Sequence, residues 1–132
     1  MKVSFPGGKQ VQAEHRGFTI QTDQPQASGG NNSAPSPFDL FLASIGTCTG
    51  YYIMAFCQQR DIPTDEIELT LDMVRSEERH LIEQIHISVS LPENFPERYV
   101  TACVKAAEQC TVKRHLQVPP EIVLTAAKRA NS

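Results

Sequence analysis

The chain lacks a basic balance. Its 12 lysines and arginines stand against 15 aspartates and glutamates, a net charge of −3, and no polybasic run occurs. A nucleic-acid footprint needs a basic patch or stripe, so that class is set aside. The opening MKVSFPGGK has no apolar core of the kind a secretory signal carries. A cytoplasmic setting is therefore expected, where thiols stay reduced and a structural disulfide framework has no place. There is no C-x-x-C and no H-E-x-x-H, and His15, His80, His86 and His115 show no three- or four-residue spacing to one another. No metal site and no cofactor are expected. Gly29 and Gly30 do not complete a phosphate-binding fingerprint. Internal repeats, heptads and low-complexity tracts are also missing.

Charge is absent above all from Leu40–Gln59. Ser36 and Pro37 precede that stretch as a helix start, a capping oxygen followed by a proline at the first turn. Asp39 adds the negative charge a first turn favours. Phe38, Phe41, Leu42, Ile45, Ile53, Ala55 and Phe56 spread round most of the helix, so it belongs in a core or in a membrane. Serine, threonines, glycines, tyrosines and glutamines interrupt it, which favours a buried central helix over a membrane span. Gly46 and Gly50 lie one turn apart and are expected to admit a close neighbour.

The rest reads as short elements in a single domain over residues 1–132. At this length about two-thirds of the unfolded surface can be buried. Val3 and Phe5, Val11 and Ala13, then Phe18 and Ile20 alternate between turns, which predicts a three-stranded antiparallel meander. Asp23–Pro35 is a loop rich in glycine, proline and asparagine, long enough to suggest function or mobility. Glu66–Val74 and Leu81–Leu91 alternate as a long hairpin with one dry face. Glu97–Gln109 predicts a second helix with Tyr99, Cys103, Ala106 and Cys110 along one stripe. Thr111–Leu116 is a basic turn or short helix, Ile122–Thr125 a final strand, and the KRANS tail is expected to be loose. Strands separated by single helices point to an α+β fold with antiparallel sheets.

Four cysteines need a reason. Buried cysteine often simply packs, and that reading suits Cys57, on the opposite side of the central helix from Cys48, and Cys103 on the second helix. For Cys48 and Cys110, composition alone leaves packing and chemistry both open. Lys113, Arg114 and His115 read as favourable charge near a helix end.

The motif SAPSPFDLFLASIGTC before the buried helix, with AAEQCTVKRHL before a final strand, resembles the family of osmotically inducible protein C and organic hydroperoxide resistance protein (OsmC/Ohr). The resemblance runs over essentially the whole chain. It implies an OsmC-like α+β fold with two main helices, an intertwined homodimer, and a thiol-dependent peroxidase acting on organic hydroperoxides. It implies that Cys48 is the peroxidatic and Cys110 the resolving cysteine, with a dithiol reductant such as a dihydrolipoyl protein restoring the pair. No nucleic acid or membrane partner is expected. Hydroperoxide-resistance members carry an arginine in the turn between the first two strands, held by a glutamate after the helix-opening proline. Here Lys9 stands nearest the arginine position, with Arg16 as the rival, and Phe38 occupies the glutamate position, with Asp39 one residue later as the expected anchor of Lys9. The alternative is a non-catalytic protein that binds a small ligand or senses redox state.

Overall fold

Helix α1, Pro37–Gln58, is where the remaining elements meet. The computed structural model describes residues 1–130, so Asn131 and Ser132 of the expected loose tail lie outside the described residues. The start of α1 follows its sequence signal. The Ser36 hydroxyl accepts from the Asp39 amide, the Asp39 carboxylate accepts from the Ser36 amide, and Pro37 opens the first turn. Such a capping box satisfies two amides that have no partner inside the helix.

One stripe of α1 is buried: Ile45, Thr49, Ile53, Phe56 and Cys57. Helix α2, Val100–Ala107, packs against its C-terminal half, and Ile53, Phe56, Cys57, Phe95, Cys103 and Ala107 form the core there. The Arg60 guanidinium caps this core, 3.7 Å from the Phe56 ring centre and 5.4 Å from that of Tyr99. The second helix is shorter than expected, because Glu97–Tyr99 forms a 3-10 turn before it and Cys110 lies beyond it. The basic segment is a third helix, α3, Thr111–Gln117.

The strands form two antiparallel sheets. In the first, β1 (Lys2–Gly7), β2 (Gln10–His15) and β3 (Phe18–Thr22) run in sequence order as the expected meander. In the second, β4 (Glu68–Ser76) pairs with β5 (Leu81–Ser90). Leu69, Leu71 and Met73 face Val89, Ile87 and Ile85, so the alternation sets the register. A bulge then follows: Val74 pairs with Gln84 but Arg75 with Ile82, leaving Glu83 as the extra residue.

Three expectations need correction. Residues 118–130 contain no strand, so the final strand at Ile122–Thr125 is absent from this single chain. A strand persists only where its amides and carbonyls meet a neighbour, and among the described residues neither sheet receives this segment. Next, α1 is not covered all round: Phe38 and Tyr51 are exposed, and only part of the helix is buried. By length and hydropathy alone α1 is apolar enough to cross a membrane, with a mean hydropathy of 1.5. Lastly, a Cβ on Gly46 would lie 3.2 Å from Leu71 of β4, the expected close neighbour, whereas Gly50 faces open space.

The glycine-rich loop is wrapped tightly. The buried Asp23 carboxylate accepts hydrogen bonds from the amides of Gln24, Asn31 and Ser33 and from the Ser33 hydroxyl. A Cβ at Gly30 would fall 2.0 Å from the Gln24 carbonyl oxygen, so only glycine fits. The Ser33 hydroxyl and the three amides hold the Asp23 carboxyl well below the usual range, at about 2, against the opposing effect of burial. A depressed folded-state pKa contributes stability above the unfolded value near 4 and loses it as pH falls toward the folded value. Asp23→Asn should therefore lower the melting temperature at neutral pH. The gap from wild type should close between about pH 4 and pH 2, as followed by thermal melts across that range.

Candidate active site

Cys48 sits on α1 beside the buried stripe and is partly exposed. Its hydroxylated neighbours do not serve its sulfur. Thr47 donates to the Ala43 carbonyl at 2.8 Å and Thr49 to the Ile45 carbonyl at 2.7 Å, bonds that keep both hydroxyls within the helix backbone.

Cys110 is fully buried where the chain breaks between α2 and α3. Its backbone is extended, at φ −50° and ψ 125°, which ends one helix and starts the next at a new angle. Helix α3 also packs on α1, which brings the Cys110 thiol near that of Cys48. The two are free thiols. Burial raises the Cys110 pKa, but it is outweighed. The neighbouring Cys48 thiol, the nearby amides of Lys113 and Val112 and the Lys113 ammonium together hold the thiol below its ordinary value, although no side-chain cap bond closes at this N-cap.

Lys113 is the residue that sequence reasoning undervalued. It was expected to be helix-end charge, yet it is the third residue of α3, near the end where the macrodipole disfavours a cation. The signal in the sequence was its spacing, three residues after a cysteine that opens a helix. Arg114 and His115 do lie in the last turn, and the His115 Nδ1 is 2.7 Å from the Thr111 carbonyl oxygen.

The other two cysteines form a separate pair. Cys57 of α1 and Cys103 of α2 are both buried in the core, with their thiols near each other. Burial pushes both thiols up, more than the neighbouring Arg60 charge draws them down. A buried thiol with a raised pKa is a poor nucleophile, so the packing assignment for these two agrees with their surroundings.

Lys9 and Asp39 are not brought together as an ion pair. The Asp39 carboxylate is engaged with the Ser36 amide at 2.9 Å, and the Lys9 Cε lies 3.5 Å from where a Cβ on Gly29 would stand. The Lys9 stem thus runs along the glycine-rich loop, which Gln10 also reaches by donating to the Ser33 hydroxyl. Arg16 is exposed in the β2–β3 turn, with a positive φ of 50°. The cation whose charge acts on the Cys110 thiol is Lys113. Farther along α1, Phe38 and Phe41 stack at 5.3 Å and line a cleft of about 430 Å³ with Arg75, His80, Leu81, Ile82 and Ile85.

Comparison with known proteins bears on this arrangement. A comparison with curated proteins finds no match. A protein from Psychrobacter arcticus 273-4, named for an osmotic stress induced and detoxification response, superposes with a TM-score of 0.72 at 22% identity, covering 86% of this chain and 84% of its own. The organic hydroperoxide resistance protein OsmC of Legionella pneumophila gives 0.54 at 18% identity over 88% and 86%. The organic hydroperoxide resistance protein OhrB of Bacillus subtilis gives 0.52 at 21% identity over 86% and 88%. At these identities the likeness establishes the α+β fold. The sequence profile described as OsmC-like protein matches residues 30–125, which include Cys48, Cys110 and the whole of α1. The chain belongs to the OsmC-like protein family.

Proposed function

We propose that the chain reduces organic hydroperoxides with Cys48 as the attacking thiolate and Cys110 as the resolving thiol. The observation that carries this reading is the nearness of these two thiols, one partly exposed and one buried, with the Lys113 charge acting on the buried one. The Cys110 thiolate, favoured by the Lys113 and Val112 amides and the Lys113 charge, acts as the base that takes the Cys48 proton, which leaves the negative charge on Cys48, the sulfur that a substrate reaches. Its thiolate attacks the outer peroxide oxygen, the O–O bond breaks, and the departing alkoxide takes the proton held by Cys110 to leave as the alcohol, which returns Cys110 to its thiolate. Cys48 is then a sulfenic acid. Cys110 attacks its sulfur and releases water, closing the disulfide before further oxidation. Two thiols have supplied two electrons. A dithiol reductant of the dihydrolipoyl type restores them by thiol–disulfide exchange.

A specific observation also favours the second reading, binding of a small ligand. The cleft under Phe38 and Phe41 is apolar, carries Arg75 and His80, and has no cysteine in its lining. The discriminating experiment is consumption of cumene hydroperoxide against hydrogen peroxide with a dithiol reductant. Cys48→Ser should abolish consumption, and Cys57→Ser and Cys103→Ser should keep wild-type rates. Peptide mapping after peroxide should find Cys48 joined to Cys110. Wild-type turnover in Cys48→Ser would remove the mechanism and leave the ligand-binding reading standing.

Lys113→Met should move the first thiolate midpoint to higher pH, since the positive charge favours the ionised sulfur. Thiolate ultraviolet absorbance across a pH titration checks this, with Lys9→Met as the control that stays put.

The proposal includes a homodimer. The apolar segment past α3 stands almost bare, with Ile122 89% and Leu124 94% exposed, and Phe5 and Phe18 of the meander are exposed as well. A segment of this kind gains a sheet edge and a cover from a second copy. Light scattering should report twice the chain mass at micromolar concentration. Leu124→Asp should weaken association by about tenfold or more, as loss of one buried leucine would.

A further inference from the structure

Tyr52 lies one helical turn beyond Cys48 on α1, and Thr111 follows Cys110 as the first residue of α3. The Tyr52 and Thr111 hydroxyls are 2.9 Å apart and hydrogen-bonded. Helical positions four apart share a face, so α1 faces the Cys110 turn at two places: at Cys48, whose thiol lies near that of Cys110, and about 6 Å farther along the axis at the hydroxyl pair.

We propose that the Tyr52–Thr111 hydroxyl pair is a positioning clamp for the cysteine couple, fixing the Cys110 turn against α1 and so setting how readily the Cys48–Cys110 disulfide closes. The proposal rests on the thiol reading given above. A disulfide tolerates little error in Cβ direction and in the torsion about its S–S bond. A turn held at one point can pivot about that point; a second contact along the helix removes the pivot. Little else anchors this segment by burial, since α3 contains no buried residue and Cys110 interrupts the helical backbone before it. The Tyr52 ring is itself restrained, edge-on to Tyr51 at 5.5 Å between ring centres. Both clamp groups are neutral hydroxyls, so they fix geometry without adding charge to the thiols. They exchange no electrons: oxidation still takes two electrons and two protons from the thiols and turns a hydroperoxide into an alcohol and water.

One neutral hydrogen bond contributes on the order of 0.5–1.5 kcal/mol, which corresponds to about two- to tenfold in the effective concentration of Cys110 at Cys48. The test equilibrates full-length protein with graded ratios of reduced and oxidised dithiothreitol, followed by acid trapping and mass spectrometry of the Cys48–Cys110 peptides. Tyr52→Phe and Thr111→Val should each weaken the disulfide about two- to tenfold. The upper end corresponds to a potential about 30 mV less negative. The double variant should lose no more than either single one, and Thr111→Ser, which restores a hydroxyl, should match wild type. After peroxide, Cys48 sulfinic acid should accumulate in Tyr52→Phe and Thr111→Val. Thr111 is exposed, so Thr111→Val keeps the test available if Tyr52→Phe folds poorly. A disulfide equally stable in wild type, Tyr52→Phe and Thr111→Val overturns the clamp and leaves the dithiol reading intact. So does a Thr111→Ser that behaves like Thr111→Val, because the methyl group and not the hydroxyl would then be at work. A wild type that forms no Cys48–Cys110 disulfide at all overturns the dithiol reading, and the clamp with it.

Discussion

A helix without a charge from Leu40 to Gln59 has to be covered, and the other elements are arranged by that demand. Helix α2 takes the face around Ile53, Phe56 and Cys57, α3 reaches the side bearing Cys48, and Leu71 of β4 settles over Gly46. What the single chain leaves open is equally defined: Tyr51, the space beside Gly50, and the apolar end of the chain. Large apolar surface is rarely left bare in soluble proteins. The uncovered parts of α1 are thus continuous in character with the bare Ile122–Leu124 segment, and both fit the cover that the proposed second copy would supply.

The same helix carries two thiol pairs whose environments separate them. Cys48 and Cys57 project from opposite sides of α1, so one meets Cys110 at an interrupted turn and the other meets Cys103 in the core. Around Cys110, backbone amides and Lys113 outweigh burial; around Cys57 and Cys103, burial outweighs Arg60. Identical side chains acquire different chemistry because one pair sits where donors converge and the other where apolar atoms do.

Much of this was legible in the sequence. The serine–proline start with Asp39 announced the helix, because capping is a local signal carried by three or four residues. The alternation in β4 and β5 gave their register for the same reason. Cys48 and Cys110 were singled out through the family resemblance and not through spacing, since nothing in a linear pattern shows that two distant thiols meet. The Lys113 role was hidden by the assumption that basic residues near a helix sit at its C-terminal end. The link expected between Lys9 and Asp39 failed because Asp39 was already spent on the cap that identified it. The last strand, expected at Ile122–Thr125, is not formed, because apolar residues alone do not make a strand without a sheet edge to pair with.

The bulge at Glu83 has a consequence for how the hairpin tolerates change in length. By simple alternation the residue brought to the inner face two places before Ile85 would be Glu83; the extra residue hands that place to Ile82 instead. Ile82 then joins Ile85 in the cleft lining, while Glu83 lies 3.7 Å from Arg79 on the far side of the reversal. A single-residue deletion at this point would restore regular parity and rotate everything from Ile82 to the tip by half a turn. Insertions at the tip itself, around Glu77–His80, leave parity untouched. The hairpin is therefore free to vary in length at its end and constrained to the residue along the arm that covers Phe38 and Phe41.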